Sequence, residues 1–338
     1  MNWSTRAGRL IGAAAATMLI AAPVSAQQFV MKLTNIAVNE PTHEHMKMIK
    51  EEVEKRSGGR IKAEVYPGAQ LGGFPRMIEG VQFGTIEVYT GPPGFQRGLD
   101  PRMQIVDTPG LYDDMEHGQR VMTDPEFRNR FLEINTPKGL KGISLYNYGP
   151  TAYASTTPLR RIEDFRGKKI RVLATRVEIE AMSRLGASGV PMDLAEVLPA
   201  LQTRVIDAVR SSMVVMGAGK YFSVAKTITD VQDSMIPIGV WVSTVWFNKL
   251  PADLQKVILD VGRETEDPIF RISLDFDKRG AQVWRDNGAE VIQLSTEERA
   301  EFMRRVRSVA DEVLGNDPQL KDMYGLLKNV TERHRRKS

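Results

Sequence analysis

The sequence predicts an α/β protein of two domains built on a largely parallel sheet. Three observations lead there. Segments with strand-like alternation and segments with helical periodicity take turns from Phe29 to Thr90, the pattern of strands joined by helical crossovers. The same alternation resumes between Ile143 and Val209. The 338 residues, 42% hydrophobic and 26% charged, suffice for two cores, and this composition excludes disordered, collagenous and low-complexity chains.

The first 26 residues stand apart. Arg6 and Arg9 precede the apolar run from Leu10 to Ala22, Pro23 breaks it, and Val24-Ser25-Ala26 fits a small-residue cleavage site. Residues 1–26 therefore read as a secretory signal peptide, too short to span a bilayer. No later stretch reaches the roughly 18 apolar residues of a membrane helix, so no membrane insertion of the mature chain is expected.

Phe29 to Ala37 reads as a strand, and Asn39 to Ser57 as a helix with Met46, Ile49 and Val53 on one face and Gly58-Gly59 ending it. Ile61, Ala63 and Val65 alternate as a strand up to Pro67-Gly68. A helix over Pro75–Phe83 and a strand over Ile86–Thr90 lead into the loop Gly91-Pro92-Pro93-Gly94, either a rigid turn or a ligand loop at the carboxyl end of a strand. Ile143–Tyr148 and Lys169–Leu173 read as strands, Val177–Leu185 and Leu194–Arg204 as helices, and Val205–Val209 as a short strand. Asp193 with Glu196, and Ser295 with Glu298, resemble capping boxes. Pro251 opens a long helix with Leu254, Val257, Ile258 and Val261 on one face, which Pro268 should kink. A last amphipathic helix should run to about Leu314.

Charge and motif content exclude several functions. Lys and Arg number 46 against 42 Asp and Glu, a formal +4; without Arg6 and Arg9 the balance is 44 to 42, or +2. That is no footprint for nucleic acid, and the run Arg333-His334-Arg335-Arg336-Lys337 reads as a solvated terminus. With no Cys there are no disulfides, thiolate nucleophiles or Cys-held metals. His43-Glu44-His45 resembles a metal motif, but helix residues two apart do not share a face, so no metal and no cofactor are expected. Nucleophile elbows, phosphate-binding loops, dinucleotide fingerprints and paired catalytic carboxylates are all missing from the sequence, and no catalytic residue is assigned.

Arg171 stands out because it lies in the apolar run Lys169-Ile170-Arg171-Val172-Leu173. A buried guanidinium is costly unless it meets an anion, and its planar fork suits a carboxylate. By itself the residue reads either as a structural ion pair or as a ligand anchor.

Four blocks change the balance: SGGRIKAEVYPGAQLGG, DFRGKKIRV, LGASGVPMDLAEVLPALQTRVIDA and NKLPADLQKVI, in that order. Together they resemble the solute-binding proteins of TRAP transporters, the DctP type, over nearly the whole mature chain. The resemblance implies a two-domain periplasmic binding protein fold, type II-like, with a cleft between the domains and the long helix spanning both. It implies domain I over residues 27–148 and 237–276, and domain II over 149–236 and 277–338. It implies a periplasmic, non-enzymatic, monomeric protein that closes on a small organic acid and passes it to the TRAP membrane permease. By the same resemblance Arg171 binds the ligand carboxylate, with the turn Met192-Asp193-Leu194, Ser211 and the loops Asn39 to His43 and Thr90 to Phe95 facing the ligand. Thr151 stands where many relatives carry a second arginine, Leu173 replaces a usual proline, and Arg210 replaces an acid or neutral residue. We expect Arg176, rather than Arg210, to supply the second cation, and Phe95, Tyr148, Tyr153 and Trp241 to wall the apolar part of the ligand. The alternatives are an exported α/β enzyme acting on a carboxylate, and a binding protein serving a sensor or another importer class.

Overall fold

In a computed structural model, residues 28–335 are described; the signal peptide reading falls outside them. Ten strands lie in one continuous sheet: β1 (Phe29–Thr34), β2 (Ile61–Tyr66), β3 (Val88–Gly91), β4 (Leu140–Ser155), β5 (Lys169–Val172), β6 (Ser188–Pro191), β7 (Ala208–Ser212), β8 (Thr227–Asp230), β9 (Met235–Ser243) and β10 (Glu290–Gln293). The order is β2-β1-β3-β9-β4-β7-β5-β6, with β8 also on β4 and β10 on β8. The molecule has two lobes because β4 changes partners along its length. Leu140 to Pro150 pair with β9, whereas Thr151 to Ser155 pair with β7 and β8.

The sheet is mixed rather than largely parallel. β1–β2, β1–β3, β5–β6, β5–β7 and β8–β10 are parallel, but every pairing of β4 and β9 is antiparallel. These two strands carry the chain between the lobes. In β9, Pro237 lies opposite Asn147, beside a register shift between Asn147 and Gly149. Proline has no N–H for a ladder and is tolerated in a sheet interior at such an irregularity.

Each lobe is covered on both faces. In the first, Met31, Leu33, Val240 and Val242 pack under the helices Pro41–Arg56 and Ala252–Glu264. Tyr89, Leu140 and Trp241 pack on the other face under Phe74–Phe83, Met115–Met122 and Pro125–Leu132. In the second, Ile170 and Val172 face Arg176–Arg184 and Thr296–Val306. Val209 and Ile228 face Leu194–Gln202 and Met213–Ala218.

The long helix breaks at Thr265, into Ala252–Glu264 and Glu266–Asp286. Pro268 falls in the first turn of the second piece, where a missing N–H costs nothing, so it does not cause the break. The 21-residue second piece links the lobes. Near its start, Glu266 accepts from Arg128 Nε and the Leu145 N–H; near its end, Trp284 Nε1 donates to the Met213 carbonyl in the second lobe. The helix expected to run to about Leu314 is regular over Thr296–Val306 and, after two turn residues, ends in a π-helix over Asp311–Gly315; a further helix, Lys321–His334, packs on the first-lobe core through Leu326, Leu327 and Val330. Arg333 and His334 pair with Asp124 and Arg335 with Asp113, so the basic run is bound to the first lobe as far as it is described.

Candidate functional site

Period-2 geometry decides where Arg171 goes. Ile170 and Val172 enter the second-lobe core, so Arg171 between them must face the other side of the sheet. There it is 1% exposed and lines a cavity between the lobes. Its Nε donates to the Met192 carbonyl (3.0 Å) and its Nη1 to the Arg210 carbonyl (3.2 Å). Both partners are neutral, and among the described residues no carboxylate forms an ion pair with it. A guanidinium has five N–H donors, so its outer edge keeps donors to spare. Burial pulls the Arg171 pKa down, partly offset by Tyr221, Glu178 and Asp193.

Arg210, which also lines the cavity, is the opposite case. It is buried between two carboxylates, with Nη1 to Glu178 and Nε and Nη2 to Asp233 (3.1 and 2.6 Å). Burial opposes its charge, but Asp233 and Glu178 more than compensate and hold its pKa well above the usual arginine value. Glu178 also accepts the Leu173 N–H (2.7 Å), and Asp233 accepts the Thr151 hydroxyl (2.8 Å). Asp107, from the first lobe, is buried beside this group with no hydrogen-bond partner on either carboxylate oxygen. Burial first, and Glu178 second, push its carboxyl well above the usual carboxylate range.

The first lobe supplies the other wall. Glu40 is the N-cap of the helix Pro41–Arg56 and is 1% exposed. Its Oε1 accepts from the His43 N–H (2.9 Å), Asn35 Nδ2 (3.2 Å) and the Thr42 hydroxyl, and its Oε2 from the Thr42 N–H (3.0 Å). Burial raises its pKa against these bonds and against the nearby Tyr148 hydroxyl. Thr90 is buried on the same wall, and its Oγ1 has no hydrogen-bond partner. Phe74, Phe95, Ile36, Ile236 and Ile238 make most of the remaining surface apolar. About 50 Å³ of the cavity is open to the centre of a water-sized sphere, where one water needs about 10–15 Å³. The site thus has room for a small solute, one cation with free donors and an apolar middle.

Of the residues expected at the ligand, Arg171, Ser211, Tyr148, Thr90 and Phe95 line this cavity. The others do not, each for a physical reason. Arg176 points outward and pairs with Asp317 (2.8 Å), its side chain half exposed; only its backbone N–H faces the first lobe, donating to Gln104 Oε1 (3.0 Å). Trp241 falls on the opposite face of β9 from Ile236 and Ile238 and stacks on Tyr89 at 5.5 Å. Tyr153 packs against Phe165 and Phe302 in the second-lobe core. Thr151 is occupied by Asp233. Asn39 has φ +55° and borders a neighbouring groove; the next residues of its loop, Glu40 and Thr42, reach the cavity instead. Met192 contributes its carbonyl to Arg171 rather than its side chain. Asp193 caps Leu194–Gln202 through the Ala195 N–H (2.9 Å) and makes no capping box with Glu196; Leu194 lines the cavity in its place. Glu298 likewise turns away from its own helix start to accept the Ile162 N–H (2.9 Å).

Sequence reasoning missed Phe74, and reached Glu40 only as part of the loop Asn39 to His43, without singling it out. An acid directly before Pro41 is a readable N-cap signal, but its cavity exposure depends on the lobe opposite. His43 and His45 diverge: His43 Nδ1 accepts the Asn39 N–H, and His45 Nε2 is buried against the Thr265 hydroxyl.

Residues 34–316 match the family described as bacterial extracellular solute-binding protein, family 7, or DctP. The C4-dicarboxylate-binding periplasmic protein DctP of Rhodobacter capsulatus is 28% identical over 314 residues, 90% of this chain and 92% of that one. A TRAP periplasmic solute-binding protein from Desulfovibrio salexigens, solved with orotic acid, has the same fold, with a TM-score of 0.86 at 23% identity over 91% of this chain and 100% of the other. Another, from Xanthobacter autotrophicus with β-D-galacturonate, gives 0.81 at 25% identity over 88% and 99%.

Proposed function

The chain belongs to the DctP family of bacterial extracellular solute-binding proteins, and from that premise we propose that it grips the carboxylate of a small organic acid on Arg171 within a cleft that closes over it. It is a TRAP-type binding protein for an organic acid. The observation that carries the reading at this site is the guanidinium edge of Arg171, buried at the cavity and balanced by no carboxylate of its own. A ligand carboxylate supplies the missing charge with two parallel hydrogen bonds. Thr90, Ser211 and Tyr148 offer hydroxyls, and Phe95 with Phe74 covers the ligand's apolar body, as in sites with few polar anchors in an apolar wall.

Closure runs about β4 and β9. We assign domain I to residues 27–148 and 237–276 with the last helix, and domain II to 149–236 and 277–320, with hinges at Tyr148–Gly149 and Ile236–Pro237. The register shift between β4 and β9 at that level supports the placing, since a break in the ladder bends more readily than an unbroken one. Residues 1–26 direct export to the periplasm, where the mature monomer hands its ligand to the TRAP permease; among the described residues no helix is long and apolar enough to cross a membrane. Native mass spectrometry of the protein purified from its host, followed by calorimetry with the acid it releases, tests the reading. A protein that carries and binds no carboxylate overturns it.

A further inference from the structure

The cavity's two walls carry opposite charge. The second lobe brings Arg171; the first brings the carboxylate of Glu40, also facing the cavity. Arg210 touches the cavity too, but Glu178 and Asp233 consume its charge. One guanidinium is therefore available to a ligand, and an acid waits on the far side. Four donors, two of them backbone N–H groups, converge on Glu40 and offset part of the burial that raises its pKa. Three of these bonds fall on Oε1 and one, from the Thr42 N–H, on Oε2; the Tyr148 hydroxyl also lies beside the carboxylate, and a ligand hydroxyl reaching Oε2 would share that position with it.

Building on the organic-acid reading above, we propose that Glu40 selects monocarboxylates bearing a hydroxyl or similar donor at the end away from the carboxylate, and rejects dicarboxylates. Arg171 takes the carboxylate, and the distal hydroxyl donates to Glu40 Oε2 and accepts from the orphan Thr90 hydroxyl. A second ligand carboxylate would meet Glu40 at short range in a buried, mostly apolar cavity, with no free cation beside it, and like charges repel strongly there. The specificity comes from a repulsive element as much as from an attractive one.

The test is calorimetric titration of the mature protein with matched pairs: 4-hydroxybutanoate and succinate, gluconate and glucarate, galacturonate and galactarate. At least one hydroxy monocarboxylate should bind at least 30-fold more tightly than its dicarboxylate partner. Glu40→Gln should shrink that ratio to within about threefold, chiefly by admitting the dicarboxylate. Glu40→Asp, which keeps both the helix cap and the charge, should retain most of the discrimination and guards against a folding defect in the amide variant. A wild-type protein that binds the dicarboxylates as tightly, or a ratio untouched by Glu40→Gln in a folded variant, overturns the inference while leaving the organic-acid reading standing. Binding of none of the six acids, together with no co-purified carboxylate, overturns both.

Discussion

Asp193 holds the two lobes together through the backbone of Phe74: its Oδ2 accepts the Phe74 N–H at 2.8 Å, while Oδ1 caps its own helix. A Cβ on Gly73 would stand 3.0 Å from this carboxyl group, so the latch depends on a glycine at its base. Both Phe74 and Leu194 line the cavity, which couples the latch to the ligand.

Removing the latch should weaken binding without touching the ligand. Asp193→Ala loses the cap, worth about 0.5–2 kcal/mol, and the bond between the lobes. Asp193→Ser keeps a capping oxygen but is too short to reach Phe74. Melting of the free protein should fall for Ala and change little for Ser, whereas calorimetric affinity should fall for both, because a smaller closed fraction lowers apparent affinity in proportion. Equal affinity of wild type and Asp193→Ser would show that the bond does not bear on closure.

Arg171 should serve binding at the expense of stability. Arg171→Ala should cost about 2–5 kcal/mol of ligand affinity, and Lys should restore only part of it because the fork is lost. Arg171→Met should raise the melting temperature of the ligand-free protein, since it removes a buried cation that no carboxylate offsets. A lower melting temperature for the Met variant would mean that its two carbonyl bonds outweigh the desolvation.

Arg176 and Arg210 should behave in opposite ways. Arg176 makes a half-exposed ion pair, a class worth about 0–1 kcal/mol, so Arg176→Ala should leave affinity within about twofold. Arg210→Met strands Glu178 and Asp233 as buried carboxylates and should cost about 3–5 kcal/mol in urea unfolding. Calorimetric titration of Arg176→Ala and the urea unfolding curve of Arg210→Met, each beside wild type, check the two statements.

Asp107 gives the protein a pH dependence of known sign. Burial and Glu178 raise its carboxyl well above its ordinary value of 3.8. The folded protein therefore keeps a proton that the unfolded chain releases above about pH 4. Stability from this site is fully present below that point and declines as pH rises through the folded value. Asp107→Asn should thus stabilise the protein more at pH 7 than at pH 4, as thermal melts across that range will record. A constant difference at all pH values would place the titration elsewhere.

Some of this was readable in the sequence. An arginine inside Ile170-Arg171-Val172 announces itself because period-2 alternation leaves it facing away from its apolar neighbours. Arg210 was ambiguous because its counter-ions, Glu178 and Asp233, lie 32 and 23 residues away in the chain and meet it only through the sheet order. Arg176 misled because a helix amino end is a poor place for a cation, but Asp317, from a segment near the other end of the chain, neutralises it. β9 was hidden by Pro237, which argues against a central strand unless the partner strand is irregular opposite it, and that irregularity is a property of β4. The break at Thr265 rather than Pro268 follows from where the second helix starts; Thr265 with Glu266, Asp267 and Pro268 in the first turn is a helix-start pattern that the reading of Pro268 as a kink passed over.

The placing of β9 also dictates when the molecule can be assembled. Residues 235–243 fill the gap between β3 and β4, yet they follow β5 to β8 in the chain. A nascent chain that stops before Met235 holds the flanking strands of the first lobe and lacks the one that joins them. Its exposed edges must wait for the second lobe to be synthesised, a non-local closure of the kind that folds slowly. Such a chain stays unfinished until late in its synthesis.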